Sequence, residues 1–135
     1  MRLTNPYDPW AHIGTVWPHI HVETARTLPD GVAGLIGDGV IWLCRSLSQR
    51  GRRSVLAHEI VHLERGPESI CEGREEATVD RIAARRLINE HDFFEALRWT
   101  GGVPNDEAAD MLWVDLHTLT VRAKDLAGKS FWRFD

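Results

Sequence analysis

His58-Glu59-Ile60-Val61-His62 sets two imidazoles four residues apart, with a carboxylate directly after the first. Four residues is close to one helical turn, so on a helix both rings leave the same face and can share one metal ion. Neutral imidazole nitrogen at about 2.0–2.1 Å suits Zn²⁺, and Glu59 stands close enough to reach a water beside the ion without ligating it. Three roles follow: His58 and His62 as ligands, Glu59 as general base in a metal-assisted hydrolysis. The competing use is a pair of hydrogen-bonded core histidines. Composition alone predicts about 0.03 such pentapeptides in a chain of this make-up, which favours the metal. The apolar setting of Val55, Leu56, Ile60, Val61 and Leu63 is what a buried metal-bearing helix requires.

Two histidines leave zinc short of a ligand, and a catalytic site keeps one position open. Glu68, Glu72, Glu75, Glu76 and Asp80 follow the motif. Glu76 and Asp80 stand four apart on the helical face that also carries Ala83 and Leu87, and carboxylates on a small apolar face are costly to bury unless they are used. Glu76 is therefore the preferred third ligand, with Glu72 or Glu75 as alternatives. Asp80, one turn deeper, can accept a hydrogen bond from the free ring nitrogen of a liganding histidine and fix its tautomer. The plainer fate of such charges is a solvated face pairing with arginines.

Several elements must hold these groups. Tyr7 to Trp17, rich in proline and tryptophan, reads as an anchored loop with one helical turn. His19 to Glu23 alternates like a short strand, and Leu28-Pro29-Asp30-Gly31 reads as a turn. Val32–Ile36 and Val40–Cys44 are apolar runs separated by Gly37-Asp38-Gly39, a hairpin signal, so a small antiparallel sheet of about three strands is expected. Ser48 can cap a helix running to about Arg65, weakened at its start by Gly51 and stopped by Gly66-Pro67. A second long helix spans about Glu72 to Asn89, with Ala77, Ile82, Ala83, Leu87 and Ile88 at helical spacing. Shorter helices follow at about His91–Trp99, Asn105–Trp113 and Leu116–Leu126. The expected class is α+β, one domain over 1–135: loop and sheet in 1–47, site helices in 48–90, C-terminal helices in 91–135.

Composition narrows the function classes. At 135 residues, 43% hydrophobic and 27% charged, the chain can bury a real core and fits neither a disordered nor a fibrous class. No apolar run is long enough for a membrane span, and the start lacks a secretory pattern, so a cytoplasmic protein is expected. Cys44 and Cys71 are too few for a disulfide framework and read as small buried or half-buried thiols. A net charge of −4 argues against a protein whose affinity rests on neutralising phosphates.

The two motifs together resemble the ImmA/IrrE family of small zinc metallopeptidases, in which an HExxH helix is followed by E-x-x-A-[N/D]-x-F-A-A-x-x-L. Here the second segment runs from Glu76 through Asp80, Ala83 and Ala84 to Leu87, with Val79 in place of the alanine and Ile82 in place of the aromatic. The resemblance covers about residues 32 to 90. It implies a gluzincin-like site: His58, His62 and Glu76 on Zn²⁺, Glu59 as base, and Asp80 orienting His58. It also implies an edge strand that binds extended substrate by strand addition, for which Val40 to Leu43 is the candidate, with Trp42 lining the groove. The implied substrate is a regulatory protein such as a transcriptional repressor, in a phage, mobile-element or stress-response setting.

His19, His21 and His91 are further imidazoles given no catalytic role. Ala108 to Arg122 resembles a helix-turn-helix pair, but its second helix mixes Arg122 and Lys124 with Asp115 and Asp125, a weak footprint for DNA. A pair that completes the core or shapes the substrate site is the preferred reading. The rival function is a DNA-binding or repressor-binding module that holds zinc without proteolysis. Glu59 speaks against that, because a closed structural site has no use for a carboxylate beside its first histidine.

Overall fold

The computed structural model describes residues 1–66 and 73–128. Along the chain these form α1 (Pro9–Val16), β1 (His21–Glu23), β2 (Gly34–Gly37), β3 (Val40–Leu43), α2 (Gln49–Arg65), α3 (Gly73–Leu87), α4 (Glu90–Trp99), α5 (Asp106–Met111) and α6 (Leu116–Ala127). The class is α+β, with six helices and one three-stranded mixed sheet among the described residues. Glu68, Glu72, Cys71 and the proline of the Gly66-Pro67 stop lie outside them. Cys44 is buried and free.

Side-chain caps set most helix starts. Ser48, Asn89, Asn105 and Asp115 each accept a hydrogen bond from the amide three residues on, opening α2, α4, α5 and α6. Each such cap stabilises its helix by about 1 kcal/mol. The same device corrects the expectation for Tyr7–Trp17. Asp8 accepts from the amides of Trp10 and Ala11, Pro9 occupies the first turn where its missing N–H costs nothing, and the segment is a helix of 8 residues rather than a loop with one turn.

The sheet departs from the antiparallel expectation. β2 and β3 form the hairpin across Asp38-Gly39, with Gly39 at φ +70°. β1 lies on the other side of β3 and runs parallel to it, His21 opposite Val40, giving the order β1-β3-β2. Strand direction still reverses at each connection. The segment 24–33 is long enough to place β2 one strand spacing beyond β1's neighbour, and the tight hairpin then returns β3 into the gap. The expected edge strand, Val40–Leu43, is therefore central, and β2 forms the outer edge.

α2 lies between two apolar clusters. Leu56 and Ile60 pack with Ile13, Ile41 and Leu43 on the sheet side. Ala57 and Val61 pack with residues of α3 to α6, including Val79, Phe93, Leu112 and Leu119, on the helical side. Apolar burial on two faces leaves its polar residues along the seam facing α3 and β2. α5 and α6 complete the helical cluster through Ala108, Ala109, Leu112, Leu119 and Leu126. No helix among the described residues is long and apolar enough to cross a membrane.

Candidate metal centre

His58, Glu59 and His62 all lie in α2, with His62 in its last turn. α3 packs against this stretch in the opposite direction, so the step back from His62 to His58 matches the step forward from Glu76 to Asp80. Glu76 Oε1 is 2.6 Å from His62 Nε2, and Asp80 Oδ1 is 2.9 Å from His58 Nδ1. The second Glu76 oxygen stands 3.0 Å from His58 Nε2, and the two Nε2 atoms are 3.2 Å apart. Glu75, the alternative ligand, instead pairs with Arg65 on the outer side of the two helices.

The donor set is one-sided. With Nδ1–H donated to Asp80, a neutral His58 would turn its Nε2 lone pair toward Glu76 and His62. Two imidazole nitrogens and a carboxylate converging in this way can share a cation. Two atoms each about 2.05 Å from a tetrahedral ion stand about 3.3 Å apart, close to the 3.2 Å between the two Nε2 atoms. His58, His62 and Glu76 thus form a group that could hold a metal ion, their ligand atoms all within 4.8 Å of one another.

The electrostatics of the cluster pull toward positive charge. Burial works against a charged His58, but the Asp80 hydrogen bond and the carboxylates of Glu59, Glu76 and Asp80 outweigh it and raise its pKa. Burial would raise Asp80 likewise; hydrogen bonds from His58 and His117 overcome that and hold its carboxyl below the usual range. Glu59 lacks such donors. Burial, assisted by Glu76 and opposed by His58, pushes its pKa up to about 7.

Glu59 is positioned by the sheet. A methyl group on Gly34 of β2 would stand 2.7 Å from Val55 Cγ1 and 3.0 Å from Glu59 Oε1. Only glycine lets β2 approach α2 this closely, and the result places the sheet edge beside the carboxylate. A cavity of about 540 Å³ opens at the cluster, walled by Gly31 to Gly34, Val55, His58, Glu59, Glu76, Asp80 and the first turn of α6.

Scanned against protein-family models, curated proteins and solved structures, the chain matches none.

α6 walls the cavity through residues that the motif spacing does not single out. Asp115 N donates to Ser54 Oγ at 3.0 Å, pinning the start of α6 to α2. Asp115, His117 and Thr118 then line the cavity, and His117 Nε2 lies 3.1 Å from Asp80 Oδ2. His117 has no spacing relation to the motif, so no local pattern could have singled it out. His19, His21 and His91 do not line this cavity.

Trp42 does not line it either. Along β3 the buried Ile41 and Leu43 face α2, so strand alternation turns Trp42 to the opposite face of the sheet. There its ring crosses Gly37, where an added Cβ would stand 2.5 Å away, and the Arg26 guanidinium lies 5.9 Å from the ring centroid. The expected substrate-lining role fails on this alternation.

Proposed function

We propose that the chain is a zinc-dependent endopeptidase in which His58, His62 and Glu76 hold the ion and Glu59 is the general base. The observation that carries this reading is the convergence of His58, His62 and Glu76 within reach of one ion, with His58 and Glu76 on a cavity that also holds the buried carboxylate of Glu59. Imidazole and carboxylate ligands suit Zn²⁺, and the three-ligand set matches sites that keep a position open for chemistry. When bound, Zn²⁺ supplies Lewis acidity toward a peptide carbonyl and toward water.

Glu59 removes the proton from the attacking water and delivers it to the leaving amine. A carboxyl group one residue from a ligand can serve in both transfers, as base and then as acid. Asp80 keeps His58 in the tautomer whose Nε2 is free to ligate. The outer edge of β2, beside Gly34 and the cavity, offers backbone groups to an extended peptide, which would add as a fourth strand. The resemblance to the ImmA/IrrE family directs the choice of substrate to a regulatory protein in the cytoplasm, such as a transcriptional repressor.

The test uses zinc stoichiometry by mass spectrometry together with cleavage of casein and of any transcriptional regulator encoded beside this chain. Wild type should carry one equivalent of zinc and cut; His62→Ala and Glu76→Ala should lose both properties. A protein that takes up no zinc, or cleavage indifferent to chelator, would sink the proposal.

A further inference from the structure

The cavity at the candidate metal centre does not end there. Asp80 and Val121, which wall it on one side, also begin a second groove of about 570 Å³ between α3 and α6. Ala77, Arg81 and Arg85 follow one another at four-residue steps along the α3 side, and Lys124 stands on the α6 side. The floor is low because small residues, Ala77 and Gly128, contribute to it.

The charge of this groove is unlike that of the cavity it continues. The cavity is walled by Glu59, Glu76, Asp80 and Asp115. In the groove, Asp80 is already engaged by His58 and His117. Asp125 pairs with Arg85, at 2.7 Å, and with the buried Arg122, at 2.9 Å, which lies off the groove and also faces Glu90, so Arg85 and Asp125 offset each other along the groove. Among the described residues Arg81 contacts only the Thr78 hydroxyl, at 3.4 Å, and neither Arg81 nor Lys124 has a carboxylate partner. In a chain of net charge −4, two cations without a carboxylate partner beside the acidic cavity are a local change of sign.

Resting on the endopeptidase reading, we infer that the α3–α6 groove is a specificity subsite that takes an acidic segment of the substrate, with Arg81 and Lys124 as its charge readers. Because the groove opens from one side of the cavity, aspartate or glutamate is preferred on one side of the scissile bond only. Both cations are solvent-accessible, so the preference weakens as salt rises.

The experiment pairs cleavage with binding. Zinc-loaded wild type is incubated with a proteome-derived peptide library and the new termini are sequenced. In parallel, a fluorescein-labelled peptide bearing a Glu-Glu-Glu run is titrated into zinc-loaded Glu59→Gln protein and followed by anisotropy. Acidic residues should be enriched on one side of the cuts. Combining Arg81→Glu with Lys124→Glu should raise KM for acidic peptides and weaken anisotropy binding about tenfold or more, leaving kcat on neutral peptides within about twofold. Cuts without charge bias, or binding indifferent to the double reversal, overturn the inference. Charge-dependent binding without any cleavage would uphold the groove and remove the peptidase reading instead.

Discussion

Arg53 and His62 are both buried polar side chains of α2, 5% and 4% exposed. They solve burial in opposite ways. Arg53 spends its N–H groups on backbone carbonyls, those of Leu112 and Trp113 at 3.3 and 2.9 Å and that of Tyr7 at 2.9 Å. The cluster is closed, and it ties the N-terminal segment and the α5–α6 connection to α2. His62 instead converges with His58 and Glu76 beside a cavity, and the three form a group that could hold a metal ion. The Arg53 cluster serves the architecture; the His62 cluster is the candidate site.

The comparison is tested most severely by Glu59→Gln. If the open cluster is catalytic, cleavage falls about 10²–10⁴-fold while zinc stays bound. Undiminished cleavage would make the two clusters alike. Arg53→Ala should do the reverse: leaving the carbonyls of Tyr7, Leu112 and Trp113 short of a donor costs about 3 kcal/mol in urea denaturation, with zinc stoichiometry intact. Loss of zinc in that variant would show that the two regions are coupled.

The pH dependence of the zinc-free protein, measured with chelator present, separates the regions again. Glu59 has a folded pKa of about 7 against 4.5 when unfolded, so between those values the native state holds a proton that the unfolded chain has released. Stability then falls as pH rises, by about 3 kcal/mol at most. His58, also raised, adds to the fall as pH passes its folded value, whereas Asp80, lowered, matters only in acid. The urea midpoint should be higher at pH 5 than at pH 8; Glu59→Gln should flatten the slope, and Arg53→Ala should leave it unchanged. The smallest expected effect is that of Asp80→Asn, which frees the His58 ring and lowers zinc affinity about 10–100-fold in a competition titration, with the fold retained.

Much of the frame was legible beforehand, for a local reason. Ser48 acts on an amide within its own first turn, and the start of α2 is readable from that single residue; Asn89, Asn105 and Asp115 cap α4, α5 and α6 in the same way, although periodicity alone assigns Asn89 to the preceding helix and Asn105 to the body of its own. Asp8-Pro9 carried an equally local signal, outweighed in the reading by the tryptophans and glycine that follow. The strand pairing was not legible. Val40–Leu43 reads the same as an edge or a central strand at this length, and its neighbour was chosen by the path of 24–33. Trp42 was misplaced because the face it occupies depends on which side of β3 meets α2.

The order of residues along the chain determined the chemistry on offer: two imidazoles and a carboxylate in one helical repeat, and a glutamate and an aspartate in the next, because periodicity alone puts them on common faces. Packing decided the rest. It selected Glu76 over Glu75 by sending the latter to Arg65, brought Gly34 against Glu59, and set His117 beside Asp80. Those pairings join groups far apart in sequence, and their distances are set by how helices and sheet close around a shared core, a property that no short stretch of chain carries.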